Sequence, residues 1–216
     1  MPCNKLISDY DIDTIYSNVG NKPQNNFTVK VNTNCISSSN KKAFIDFNKN
    51  INSEKMLIKP IEREYCENEK FIFQEKKKGK IVKHQLFLLK PKYQKKGIAT
   101  DVLKNEIEIY KELNFKEIQL IANWDGLIVW KKLNFKFANR SDERFLIPQL
   151  RLYLKNIKKL SHEKIKTILG KKPFEISVEY LIDEKDSKNS FSNWIYEEAK
   201  QKKTKAIGII KMVMEL

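Results

Sequence analysis

Arginine is scarce in this 216-residue chain. It occurs only at Arg63, Arg140, Arg144 and Arg151, so nearly all of the 42 basic residues are lysine. Readers of nucleic-acid sequence lean on arginine, whose planar fork pairs with phosphate and guanine. Histidine is scarcer still: His84 and His162 are the only two, and they lie far apart. The three cysteines, Cys3, Cys35 and Cys66, are odd in number and widely spaced. These absences exclude a paired Cys/His metal motif and give no sign of a disulfide framework. They point to a reducing, cytoplasmic setting. No apolar run approaches membrane-spanning length, and Met1-Pro2-Cys3-Asn4-Lys5 lacks the apolar core of a secretory signal, so no membrane partner is expected. A Walker-type Gly-Lys-Ser/Thr loop is also missing.

What is present in excess is positive charge, +15 net. Such a charge attracts nucleic acid, anionic surfaces or acidic substrates over a long range. It reads equally as a generic basic surface, because lysine, asparagine and isoleucine are enriched along the whole chain. The length suits one domain, or one domain with an extension, and is enough for a full core.

Along the chain, residues 1–26 are polar and Asn-rich, without clear periodicity. Phe27-Thr28-Val29-Lys30-Val31 alternates and predicts a strand. Ser37 to Asn40 reads as a loop or helix cap, and Ala43, Phe44 and Phe47 as the apolar face of a short helix. Strand signals follow at Met56–Lys59, more weakly at Glu62–Cys66, and at Phe71–Glu75. Lys76 to Lys80 predicts a hairpin turn, with Gly79 supplying a positive φ. Ile81 to Leu89 is the returning strand. A helix over 98–113 stops at Asn114, a residue tolerant of left-handed backbone. Lys116 to Ala122 is the next strand, and strand–helix–strand predicts a parallel βαβ unit in a mixed sheet. Beyond Phe137, apolar spacing predicts a helix after Ser141 and a second from Ser161 to Gly170. Phe174–Tyr180 reads as a strand, 183–189 as a charged loop, Phe191–Lys203 as a helix and Ala206–Met214 as a closing strand.

The chain is organised around Lys90-Pro91-Lys92-Tyr93-Gln94-Lys95-Lys96-Gly97-Ile98-Ala99-Thr100. An apolar run, His84 to Leu89, leads into it. A helical pattern with Ala99, Val102, Leu103, Ile107, Tyr110 and Leu113 leads out. The first N–H groups of a helix have no intrahelical partner, and its dipole makes that end electropositive, so a phosphate can sit there. Gly97 and Ala99 permit close approach to the backbone. Lys95 and Lys96 add positive charge. The plain alternative is an ordinary strand-to-helix turn.

Gln94-Lys95-Lys96-Gly97-Ile98-Ala99 resembles the acyl-CoA pyrophosphate loop of the GNAT superfamily of N-acetyltransferases, whose pattern is Gln/Arg-x-x-Gly-x-Gly/Ala between a strand and a helix. A second stretch is similar to another signature of that family, an Asn followed seven residues on by Tyr and then Glu-Lys-Leu-Gly-Phe. Here it reads Asn123, Trp130 and Lys131-Lys132-Leu133-Asn134-Phe135. The resemblance spans about residues 56–137. It departs from the pattern at Ala99, at Asn134 in a glycine place, and at Trp130. In many family members the tyrosine matching Trp130 protonates the departing thiolate, whereas indole N–H is a donor only.

The resemblance implies a mixed α/β fold of GNAT type with a mostly antiparallel sheet, a parallel βαβ core and added C-terminal helices. Residues 1–55 would be an N-terminal extension on the sheet, 56–140 the core with the cofactor site, and 141–216 a helical extension with a closing strand. It implies direct acetyl transfer from acetyl-CoA to an amine on a protein, a small molecule or an aminoacyl-tRNA. The cofactor residues would be Leu88, Leu89, Lys90, Gln94, Lys95, Lys96, Gly97, Ile98, Ala99, Thr100, Asn123 and Trp130, with a backbone N–H of Leu88 or Leu89 polarising the thioester. His84 is the first candidate base, its ordinary pKa suiting neutral pH; a structural histidine is the alternative. Strand alternation would put His84, Leu86 and Leu88 on one face. Asn123 would hold the cofactor arm or a water, or simply cap a strand. Asp125 and Glu75 are lesser candidates. No metal is expected. The contrasting function is a non-catalytic CoA-binding or basic nucleic-acid-binding module on the same scaffold, which Trp130 favours.

Overall fold

The computed structural model describes residues 6–23, 25–74, 76–122, 129–131, 133–138, 140–170, 191, 194, 197–198 and 210–216. The chain forms two compact units: Met1–Leu120 with Glu215–Leu216, and Ile121–Met214.

In the first unit, helix α1 (Asp9–Gly20) opens with a reciprocal cap. Ser8 Oγ accepts from the Asp11 N–H (3.0 Å) and the Asp11 carboxylate accepts from the Ser8 N–H (3.0 Å). Two otherwise orphaned donors are satisfied together. Ile12, Ile15, Tyr16 and Val19 fall on one face and are buried. This helix was not expected, since residues 1–26 showed no clear periodicity. The strands β1 (Phe27–Ser37), β2 (Asn40–Lys49), β3 (Ile61–Lys70) and β4 (Lys78–Leu86) form an antiparallel run. Helix α2 (Ile98–Glu112) follows, and β5 (Glu117–Ala122) pairs parallel with β4. The fold class is therefore α/β with a mixed sheet, antiparallel apart from this parallel pair. Asn114 does end α2 in left-handed backbone, at φ 69°. α1 packs on both α2 and β1.

Several expectations are corrected. Ala43, Phe44 and Phe47 lie in β2, not in a helix: Lys41, Ala43, Ile45 and Phe47 are buried in strict alternation, and that two-residue period overrides the helical spacing of the aromatics. Phe71–Gln74 is a turn rather than a strand, closed by Phe71 N–H to Lys77 C=O (3.1 Å) and Lys77 N–H to Gln74 C=O (2.7 Å). The Glu117 carboxylate holds this turn, accepting from the N–H groups of Ile72 (2.8 Å) and Phe73 (2.9 Å). Gly79 lies inside β4 without a positive φ. A Cβ there would stand 2.6 Å from the Phe71 ring, so the glycine makes room for an aromatic side chain and does not shape the turn. Met56–Lys59 is not a regular strand; it contributes the single bridge Leu57–Leu89. Cys35 is disulfide-bonded, which the cysteine spacing did not suggest, and Cys66 is a buried free thiol.

In the second unit, residues 129–131 are helical and Asn134 adopts the left-handed backbone its glycine-like place requires (φ 68°). The short strand β6 (Lys136–Phe137) pairs antiparallel with β7 (Ile210–Glu215). Between them in sequence lie α3 (Arg140–Asn156) and α4 (His162–Leu169), which pack on each other. Ser161 caps α4 by accepting from the Lys164 N–H (3.3 Å). The strand expected at 174–180, the loop at 183–189 and most of the helix at 191–203 lie outside the described residues.

Candidate functional site

The predicted loop is built from β4 outward. β4 pairs with β3 on one edge, and a register shift between Glu62–Leu86 and Arg63–His84 leaves Gln85 as an extra residue. This bulge interrupts the alternation that would have put His84, Leu86 and Leu88 in phase. On the other edge, the parallel ladder with β5 ends at His84–Leu120. Past that point, among the described residues, the main chain is held from the β3 side: Ile58 N–H donates to Leu88 C=O (2.9 Å) and Lys90 N–H to Met56 C=O (3.0 Å). Leu88 therefore turns its main chain toward 56–58, and Leu89, between the two bonds, turns its own to the opposite edge. The Gln94 side-chain amide donates to the Leu89 carbonyl there (2.9 Å), and no described residue accepts from the Leu89 N–H.

Lys90 leads into a 3-10 turn at Pro91–Tyr93. Glu54 pins this turn: it accepts from Lys92 Nζ (2.7 Å) and the Tyr93 hydroxyl (3.0 Å), with Lys90 at 3.8 Å. Hydrogen bonds from Lys92 and then Tyr93 hold the Glu54 carboxyl below its ordinary pKa. The chain then passes through left-handed backbone twice, at Lys95 (φ 60°) and at Gly97 (φ 78°). Gly97 is the N-cap of α2, and no side chain caps the helix. The first turn closes with Asp101 N–H to Gly97 C=O (2.9 Å), so the N–H groups of Ile98, Ala99 and Thr100 precede every intrahelical bond. A Cβ on Gly97 would meet no atom within 4 Å. The glycine therefore answers to backbone conformation and borders open space.

The Lys95 and Lys96 side chains are exposed, with Lys96 Nζ 5.7 Å from the Tyr93 ring centroid. The one acidic group in the first turn of α2, Asp101, meets Lys22 (3.4 Å) and the Asn25 side-chain amide (3.4 Å). Ile98 is buried and anchors the turn, while Ala99 and Thr100 are half-buried. The arrangement is a cationic, donor-rich helix start suited to an anion.

His84 is elsewhere. It is 4 % exposed and faces the core beneath α2, with its ring edge-on to Tyr110 (6.1 Å) and Nε2 3.8 Å from Glu106 Oε2. Burial first, and the Arg63 guanidinium second, hold its pKa well below the ordinary value. The other Glu106 oxygen, Oε1, accepts from Arg63 Nε (2.7 Å) and from the Tyr16 hydroxyl (2.6 Å). The expectation of His84 as an accessible base is corrected to a neutral core histidine. Sequence reasoning missed this buried Arg63–Glu106–Tyr16 group. Its signal was the phase of Arg63 with Ile61 and Tyr65, and of Glu106 with Val102, Leu103 and Tyr110.

Trp130 belongs to the second unit, half-buried with its ring edge-on to Phe135 (5.3 Å). Asn123, Asp125 and Glu75 lie outside the described residues. Among the described residues no cluster of His, Cys, Asp and Glu is placed to hold a metal, and no helix is long and apolar enough to cross a membrane. No protein-family model and no curated protein matches the chain.

Proposed function

We propose that the protein is a GNAT-type N-acetyltransferase that binds acetyl-CoA at the loop from Lys90 to Thr100. The observation that carries this reading is the uncapped start of α2. Gly97 in left-handed backbone exposes the N–H groups of Ile98, Ala99 and Thr100 beside Lys95 and Lys96. These donors and charges would hold the cofactor's diphosphate. Gln94 acts as a staple between loop and strand rather than as a direct ligand.

Bound acetyl-CoA supplies an activated acetyl group for an amine. The chain's share is to orient it and to polarise its carbonyl. Of the two backbone donors expected, Leu89 is favoured, because its N–H points to the edge that β5 has left and Leu88 faces the 56–58 segment. His84 is left out of the proton path by its burial.

Thermal unfolding with and without acetyl-CoA tests the reading. A ligand at about a hundred times its Kd stabilises by about 2.7 kcal/mol. For a chain of this size that is a rise of roughly 5–10 °C. Gly97→Glu and the double variant Lys95→Glu/Lys96→Glu should each lose the rise, the second without backbone strain. No rise in the unmodified protein, or an undiminished rise in both variants, refutes the assignment of the loop.

A further inference from the structure

We propose that the α3–α4 hairpin is a docking surface for the phosphate backbone of a nucleic acid. The inference is independent of the acetyltransferase reading. Its starting point is the charge of the hairpin itself. Residues 140–170 carry eight basic side chains against three acids, Asp142, Glu143 and Glu163. About a seventh of the chain thus holds a net +5 of the total +15.

The fold gathers these charges. Arg151, Lys155 and Lys158 follow the i, i+4, i+7 spacing of one helical face at the end of α3. Ile157 N–H and Lys158 N–H both donate to Tyr153 C=O (2.9 and 3.2 Å), and Lys159 turns the chain in left-handed backbone (φ 53°) into α4. Lys164 and Lys166 flank Ile165, which is buried with Ile168, so the lysines face outward. Arg151, Lys155, Lys159, Lys164 and Lys166 are exposed, and none of the ion pairs among the described residues involves them.

The occupant follows from what accompanies the charge. An amphipathic helix that enters a lipid surface presents a broad apolar face. Here Leu150, Tyr153, Leu154, Ile165 and Ile168 are buried, and among the described side chains of the hairpin Leu152 is the one large hydrophobic exposed. A protein partner calls for a buried aromatic or apolar anchor at the centre of its interface. A field of exposed lysines, with no buried aromatic anchor facing outward among the described residues, fits an extended polyanion bound without regard to sequence. The exposed cations at the turn and in α4 are lysines, which meet phosphate as point charges.

The test is fluorescence anisotropy with a labelled single-stranded RNA of about 20 nucleotides and a DNA duplex of similar length, across about 50–300 mM salt. The full chain is compared with Lys155→Gln/Lys159→Gln/Lys164→Gln/Lys166→Gln. A control of equal charge change, Lys76→Gln/Lys77→Gln/Lys78→Gln/Lys104→Gln, alters exposed lysines of the first unit. Circular dichroism checks that all three share one fold. The expected result is salt-sensitive binding that survives in the control. In the hairpin variant the slope of log affinity against log salt should fall by about 3, since each lost phosphate contact removes about 0.7–0.9. Three results overturn the proposal: no binding at the lowest salt; equal loss in both variants, which makes the charge generic; or binding to phosphatidylserine vesicles with none to nucleic acid.

Discussion

Replacing Glu106 by leucine should destabilise the first unit more than any single change at the loop itself. The carboxylate is fully buried, and so is its partner Arg63 at 1 % exposure. Glu106 Oε1 takes hydrogen bonds from Arg63 Nε and the Tyr16 hydroxyl, and so ties α2 to β3 and to α1. Taking away one partner of such a pair leaves a charge in the core and costs about 3–5 kcal/mol. At roughly 2–4 °C per kcal/mol for a chain of this size, the midpoint should fall by about 10 °C. The double variant Arg63→Met/Glu106→Leu removes both charges and should regain most of the loss, because two apolar side chains of similar volume replace an ion pair whose desolvation was costly. Thermal and urea unfolding by far-UV circular dichroism measure this. Tryptophan fluorescence offers a separate reading, since Trp124, Trp130 and Trp194 all lie in the second unit. A loss below about 1 kcal/mol for Glu106→Leu, or a double variant no better than the single, refutes the account of the pair as the lock between α2 and the sheet.

Two further outcomes are expected. His84 stays neutral in the folded protein, its pKa held well below 6.5 by burial and by Arg63, while the unfolded chain takes up a proton near pH 6.5. Stability is therefore full above that pH and declines as pH falls below it, by up to about 1.4 kcal/mol per pH unit from this group. His84→Phe should flatten the stability profile between about pH 6.5 and 5, and parallel profiles for variant and parent would count against the burial argument. Glu117→Gln replaces one acceptor oxygen by a donor against the N–H groups of Ile72 and Phe73 and should cost about 1–3 kcal/mol. The specific readout is faster amide exchange at Ile72 and Phe73; unchanged exchange would show that another group holds the turn.

The strand–loop–helix centre was legible because several local signals agreed there. The apolar run into Leu89, the glycine at Gly97 and the helical spacing through Tyr110 all demanded one arrangement, and α2 begins at Ile98 as the pattern required. The N-terminal region was not legible, although its signals exist. Ser8 and Asp11 make a capping box, and Ile12, Ile15, Tyr16 and Val19 form a stripe, but aspartates and asparagines between them mask the period. β2 misled because two phenylalanines three apart imitate a helical face, while the deciding alternation includes Lys41, a residue ordinarily outside. Lys41 is drawn in by long-range partners, the Ile7 carbonyl (2.9 Å) and Asp9 (2.7 Å), which no local pattern reveals. For the same reason His84 looked like a base. Its accessibility is set by α2 lying over it, a tertiary fact absent from the strand's own sequence.

The contact of Asp101 with Lys22 and Asn25 makes the N-terminal helix part of the loop's electrostatics. An aspartate in the first turn of α2 would repel the anion that the open N–H groups attract. The segment following α1 supplies a cation and an amide to offset it, from nearly 80 positions upstream. A shortened chain that kept every residue from 27 onward would retain Gly97, Lys95 and Lys96 and still present a bare aspartate at the helix entrance. Changes at Lys22 and Asn25, neither of which lies in the loop, therefore alter the charge at the entrance to α2.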